Sequence, residues 1–178
     1  FPLKGKVLNV RDVTEERAAN NEEISNLKKI IGLESGKEYN DVKSLRYGSV
    51  MFLTDQDTDG FHIRGLVMSI FASHYPELMS VEGFIQVMKT PLIKAFRGSK
   101  QMAEFFDQES CDAYRKDHPH LRYKYYKGLG TSTSAEAKEY FKYLKRYVFN
   151  MTGCHATVQQ AFGPSSVGFW KQLSQEKP

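Results

Sequence analysis

The sequence predicts an α/β fold, and three observations lead there. Short apolar, β-prone runs alternate with segments of helical periodicity along most of the chain. One such run, Val50 to Leu53, is followed by Ile63, Leu66, Val67, Ile70 and Phe71 at i, i+3, i+4, i+7 and i+8, the pattern of an amphipathic helix lying on a sheet. With 178 residues, 40% hydrophobic and 13% aromatic, the chain can bury the core of one domain, or of one domain plus an appended subdomain.

Val7 to Val10 reads as a short strand. Asp12 or Thr14 can cap a helix reaching Ile31, with Glu15 and Glu16 in its first turn, Lys28 and Lys29 in its last, and Gly32 as its stop. The apolar strand from Ser49 and the helix after it come next, with Pro76 marking the helix end or the turn just beyond. Phe84 to Met88 and Leu92 to Phe96 read as strands separated by Thr90-Pro91. Gln101 to Arg115 is mixed in texture and includes a short helix, and Asp117 to His120 is a loop. Arg122 to Lys127 alternates like a half-exposed strand and runs into a tight turn at Gly128-Leu129-Gly130. Thr133 and Glu136 form a capping box for a helix that directs Ala137, Tyr140, Phe141, Leu144 and Val148 inward. Ala161-Phe162 and Trp170-Lys171 hint at one more helix, interrupted by Gly163-Pro164.

The chemistry gathers where the Ser49 strand ends. Asp55, Asp57 and Asp59 stand at strict two-residue spacing, so an extended backbone continuing past Thr54 would lean all three carboxylates one way, roughly 6–7 Å apart. Like charges that close repel unless a cation neutralises them. All-oxygen ligands suit Mg²⁺, Ca²⁺ or Mn²⁺ rather than zinc or copper. Asp55 to Gly60 also fits the first six positions of a calcium-binding EF-hand, but positions nine and twelve fall on Ile63 and Leu66 and no helix precedes the loop. The tip of a strand and the start of the next helix is where open α/β sheets bind ligands and where backbone amides favour anions.

Charge and cysteine content narrow the partners. The formal net charge is only +4, yet Arg122, Lys124, Lys127, Lys138, Lys142, Lys145 and Arg146 cluster in one stretch against Glu136 and Glu139. A basic stretch together with an acidic metal site suits a phosphate-rich polymer. Cys111 and Cys154 have no CxxC spacing, so neither a zinc site nor a disulfide framework is indicated. His118, His120 and His155 have no matching ligand partners and read as surface or structural residues. No run reaches transmembrane length and no signal peptide opens the chain, so a membrane partner is not expected. The start at Phe1-Pro2-Leu3, without an initiator Met, suggests an excised or processed fragment.

Three blocks in order, Pro2 to Arg11 (PLKGKVLNVR), Leu53 to Leu66 (LTDQDTDGFHIRGL) and Tyr125 to Phe141 (YYKGLGTSTSAEAKEYF), resemble the signature blocks of type IIA DNA topoisomerases in their eukaryotic version. The resemblance covers Phe1 to Val148. It implies a TOPRIM domain, a Rossmann-like sheet flanked by helices, over 1–96, lacking its N-terminal Glu-bearing strand. Residues 97–178 would be an appended mixed α/β connecting region leading toward a winged-helix cleavage domain. It further implies Asp55 and Asp57 as catalytic ligands of Mg²⁺, with Mn²⁺ or Ca²⁺ able to substitute, Asp59 as a supporting or direct ligand, a catalytic His62 near the cleaved phosphate together with Lys127, and Lys4, Lys6, Arg11 and Lys127 on DNA. The parent enzyme would be an ATP-dependent, nuclear homodimer acting on double-stranded DNA through a phosphotyrosine link, with mitochondrial or viral parents as alternatives. Its ATP site, catalytic Glu and nucleophilic Tyr would lie outside this chain. Arg46-Tyr47, Arg122-Tyr123 and Arg146-Tyr147 mimic the family's Arg-Tyr pair without its winged-helix context, and Phe61 stands where the family usually has serine. Other readings are a different Mg²⁺-dependent TOPRIM nuclease or primase, and a Ca²⁺-binding module.

Overall fold

The computed structural model describes residues 1–11, 13–126, 129–149 and 154–162. The expected α/β class holds, with helices and two small sheets interspersed along the chain.

The first helical region is two helices rather than one. Helix α1, Glu15–Asn20, is capped by the Thr14 hydroxyl accepting from the Arg17 N–H, and α2 is Glu22–Ile31. Between them Asn21 adopts an extended backbone, and its side-chain oxygen accepts the Ile24 N–H at 3.1 Å. That local bond is what an asparagine offers in competition with the helix ladder, and here it restarts the helix. Gly32 ends α2 in the left-handed region at φ 89°, as its position after Ile31 predicts. Asp12, the other candidate cap, lies outside the described residues. The expected strand at Val7 to Val10 is absent. Val7 and Val10 are both buried, a spacing of three that fits irregular packing and not the period of two along a strand.

Strand β1, Val50–Phe52, leads through the acidic loop to α3, Thr58–His74. Leu66 to Ala72 are buried without interruption, so the middle of this helix is enclosed on all sides, wider burial than the amphipathic face the periodicity suggested, while Thr58, Asp59, Phe61, His62 and Ser73 are exposed. Pro76 opens a short α4, Pro76–Met79, in the first-turn position where a missing N–H costs nothing. Strand β2, Ile85–Met88, is buried along its whole length, and the Val50 N–H donates to the Phe84 carbonyl at 2.7 Å.

Beyond it come β3, Ile93–Arg97; β4, Lys100–Phe105; α5, Gln108–Asp117; β5, Arg122–Tyr125; a 3₁₀ turn, Leu129–Thr131; α6, Ser134–Lys142; β6, Arg146–Val148; and α7, Cys154–Phe162. The strands form two sheets, in the orders β1-β2-β6 and β4-β3-β5. In the second, β3 pairs antiparallel with both neighbours, Ile93 standing opposite Phe105 and Tyr125. Strand β4 occupies the segment that read only as mixed; Gly98 at φ 60° turns the chain between β3 and β4.

By packing, the chain divides into two compact units, one of Phe1–Phe52, His62–Gln86 and the segment from Val148 on, the other of Leu53–Phe61 and Val87–Tyr147. The first is centred on α3, where Phe71 meets Phe84 edge to face at 5.5 Å. In the second, Ile93, Ala95, Phe105, Cys111 and Leu121 form the core under the β4-β3-β5 sheet. Helix α6 departs from expectation. Its capping box is present, but it stops at Lys142, and Phe141, Leu144 and Val148 are exposed rather than inward. No helix among the described residues is long and apolar enough to cross a membrane.

Candidate functional site

The acidic loop is built as the cap of a helix. Strand geometry ends at Phe52 and helix geometry begins at Thr58. Asp57 performs the turn: its Oδ1 accepts the Gly60 N–H at 2.8 Å and its carbonyl accepts the Phe61 N–H at 3.0 Å, the first bond of α3. Asp59 falls in the first helical turn, where a negative charge complements the helix dipole. The three carboxylates therefore do not share one strand face; they lie around a strand-to-helix junction.

Two further contacts fix this loop. A Cβ on Gly60 would stand 2.1 Å from the Asp55 carbonyl oxygen and 3.2 Å from its nitrogen, so the Asp55 backbone rests directly on the helix start and only glycine fits. Gln56 donates its Nε2 to the carbonyl of Met88 at 3.1 Å, joining the loop to the end of β2.

Among the described residues no group of three or more His, Cys, Asp or Glu side chains stands close enough to cage a metal ion. The donor chemistry nevertheless fits a hard divalent cation. Asp57 commits one oxygen to Gly60 and retains the other, and Asp55 and Asp57 are both exposed. Mg²⁺ characteristically takes one or two carboxylates and keeps water or substrate phosphate for its remaining positions. The EF-hand alternative has no support here, because β1 precedes the loop and Ile63 and Leu66 lie within α3, Leu66 being only 3% exposed.

The remaining candidate residues are distributed. His62 is exposed on α3 and stacks on Phe162 of α7, centroids 6.2 Å apart. Gly65 makes that approach possible, since a Cβ there would lie 2.1 Å from the Phe162 ring. Lys4 and Lys6 are exposed, and the Lys4 N–H reaches Glu23 at 3.4 Å. Arg11 is half-buried beside a cavity of about 480 Å³ that Ser69, Ser73, His74 and Phe162 also line. Lys127 lies outside the described residues. Of the three Arg-Tyr pairs, Tyr123 donates to the His118 carbonyl and Tyr147 lies under the Lys89 ammonium, both structural engagements.

Sequence reasoning missed a buried ionic cluster in the second unit. Lys94 on β3, 1% exposed, pairs with Glu136 on α6 at 2.8 Å and sits 5.0 Å from the ring centroids of both Tyr126 and Tyr140. Glu136 also accepts from the Tyr126 hydroxyl at 2.7 Å and from the Thr133 N–H at 2.8 Å. Burial alone would raise the Glu136 carboxyl, but Lys94, Thr133 and Tyr126 together hold it down at about 2. Burial likewise opposes the charge on Lys94, and Glu136 and Tyr140, through hydrogen bonds and charge, together more than offset this, leaving the ammonium above its ordinary value. The Tyr126 phenol is pushed up by burial and by the neighbouring carboxylate. The capping box was legible; a lysine 42 residues away was not.

Residues 88–176, half of the chain, match the family described as the C-terminal associated domain of TOPRIM. The chain is 51% identical over 147 residues to DNA topoisomerase 2 of Acanthamoeba polyphaga mimivirus, covering 79% of this chain and 12% of that protein. It is 44% identical over 151 residues to DNA topoisomerase 2 of Pisum sativum, covering 83% and 10%, and 42% identical over 153 residues to that of Saccharomyces cerevisiae, covering 83% and 11%. The chain thus spans about a tenth of the length of these relatives. Its fold superposes with a TM-score of 0.88 on the Plasmodium falciparum topoisomerase II DNA-binding, cleavage and re-ligation domain, at 35% identity, covering 99% of this chain and 25% of that one. The strand-to-helix acidic junction, the mixed α/β architecture and these similarities agree: the chain belongs to the type II DNA topoisomerase family and carries the C-terminal associated domain of TOPRIM.

Proposed function

We propose that this chain is the metal- and DNA-binding part of an ATP-dependent type IIA topoisomerase, which changes DNA topology by transient double-strand cleavage and religation through a phosphotyrosine link. The observation that carries the reading is the acidic junction, where Gly60 and Gln56 hold Asp55 and Asp57 at the start of α3. Asp55 and Asp57 would hold Mg²⁺, or Mn²⁺ or Ca²⁺ in its place, with Asp59 in support. When bound, such a cation stabilises the charge that develops on phosphodiester oxygens during in-line displacement.

The chain's own residues bind and orient. Asp55 and Asp57 present oxygens from a backbone already fixed, and exposed His62 on α3 lies three residues past Asp59, available to the phosphate being cleaved. Lys4, Lys6, Arg11 and Lys127 would neutralise DNA phosphates and set the register of the duplex. The nucleophilic tyrosine, the ATP site and a second protomer would come from the rest of a nuclear, homodimeric parent. Within this chain, 1–96 would serve as TOPRIM domain and 97–178 as the connection onward.

Asp55→Asn in the complete parent tests the assignment: it keeps the side chain's shape and removes the charge that holds the cation. Loss of Mg²⁺-dependent cleavage with an unchanged circular dichroism spectrum is expected, whereas near-normal cleavage would refute it. The 178-residue chain alone should neither cleave nor relax supercoiled DNA.

A further inference from the structure

Gln56 sits between two carboxylates, and its side chain serves neither as a charge nor as a core filler. Asp55 and Asp57 on either side of it are exposed, while Gln56 is partly buried. Its amide nitrogen donates to the carbonyl of Met88, 32 residues along the chain, and Met88 is itself 2% exposed at the end of β2. The adjoining Lys89 N–H is bound by the Lys145 carbonyl at 2.8 Å, so the acceptor belongs to backbone held from both sides.

Two further restraints on the loop are local. Asp57 bonds within its own helix turn, and the Asp55 backbone is set against Gly60 five residues away. Local restraints of this kind fix the shape of the junction; a tie to the end of β2 needs a group that reaches Met88. The Gln56 amide makes that connection, and a neutral donor suits the task. A cationic donor there would compete with a metal ion for the carboxylates, and a short side chain would leave the Met88 carbonyl unfilled.

We propose that Gln56 is a positioning residue for the divalent cation, its carboxamide anchoring the Asp55–Asp57 loop to the end of β2. The inference rests on the metal reading given above. Groups that orient ligands without touching the metal typically change its affinity by 10–100-fold when removed, and that is the expected size of the effect.

The test uses the 178-residue chain and Mn²⁺ as probe, read by the electron paramagnetic resonance of free Mn²⁺. Gln56→Met keeps length and volume but lacks the donor. It should weaken Mn²⁺ binding by about tenfold or more with near-UV circular dichroism and thermal midpoint close to those of the parent chain. Gln108→Ala, which removes a surface amide bonded to Asp112, should leave Mn²⁺ binding unchanged. In an Asp55→Asn background the Gln56→Met change should have little further effect, because the carboxylate it positions is gone; a merely structural role would not give this coupling. Wild-type affinity in Gln56→Met, or additive losses in the double variant, would overturn the inference and leave the metal reading standing. A weakening that comes only with loss of tertiary signal would overturn it too. Absence of Mn²⁺ binding by the unsubstituted chain would overturn both.

Discussion

Lys94 and Glu136, 42 residues apart, form a 2.8 Å ion pair in which the lysine is sealed from solvent and the carboxylate is partly open. The asymmetry sets the cost of breaking it. Glu136→Ala strands a buried ammonium, which costs about 3–5 kcal/mol for such pairs, and also removes the capping box of α6. Lys94→Met leaves Glu136 with Thr133, Tyr126 and solvent and should destabilise less. Urea unfolding of the two variants checks the order; a costlier Lys94→Met would contradict it.

The same carboxylate gives the fold an acid limb. Glu136 titrates at about 2 when folded against its ordinary 4.5, so the unfolded chain takes up its proton first as pH falls. Its contribution is complete above pH 4.5 and is lost progressively toward pH 2. Glu136→Gln should flatten the stability profile in that window, as measured by denaturant midpoints across pH. On the alkaline side, raised Lys94 and Tyr126 both favour the folded state below their ordinary values, and that stabilisation fades as pH climbs past them.

Gly60→Ala should disable the acidic junction, because the obstruction is backbone and cannot swing aside. Overpacking of this kind costs about 1–3 kcal/mol, and the displaced Asp55 should reduce metal-dependent cleavage in the parent. Gly48→Ala is the control, with nothing within 4 Å of its new Cβ. Chemical denaturation should separate the two; equal stability would mean the loop yields freely.

DNA affinity of the isolated chain should come from its cations and depend steeply on salt. Replacing Lys4, Lys6 and Lys127 together by Ala should flatten the log–log salt slope by up to about three units, near 0.9 per phosphate contact. Fluorescence anisotropy on duplex DNA at several salt concentrations gives the slope. An unchanged value would shift the DNA path to the basic stretch between Arg122 and Arg146.

Features that depend on neighbours in sequence were legible in advance. Gly32 as a helix stop, a helix end just before Pro76, the Thr133–Glu136 box and the strand at Arg122 all rest on local chemistry, and all are present. The misses arise where tertiary context decides. Val7 and Val10 bury without pairing, and Asn21 chooses a new cap over helix continuation. Phe141 and Leu144 carry an apolar pattern that meets solvent. At the candidate site the residue types were readable from the two-residue spacing of the acids, but their placement was not. Asp57 closes the helix turn, ending the alternation that spacing implied, and the Gln56 and Gly60 contacts exist only once the loop is folded.

Asp57's bond to Gly60 also bears on rotational freedom. A carboxylate on an open loop samples several rotamers, and a ligand that captures it must suppress them, at a cost of up to about 1–2 kcal/mol for a flexible polar side chain. Here folding has already selected one orientation, because the Gly60 N–H fixes Oδ1 and leaves the second oxygen with a defined direction. An arriving cation would meet a group whose torsional entropy was surrendered when α3 formed, so a site of few ligands need not be a weak one.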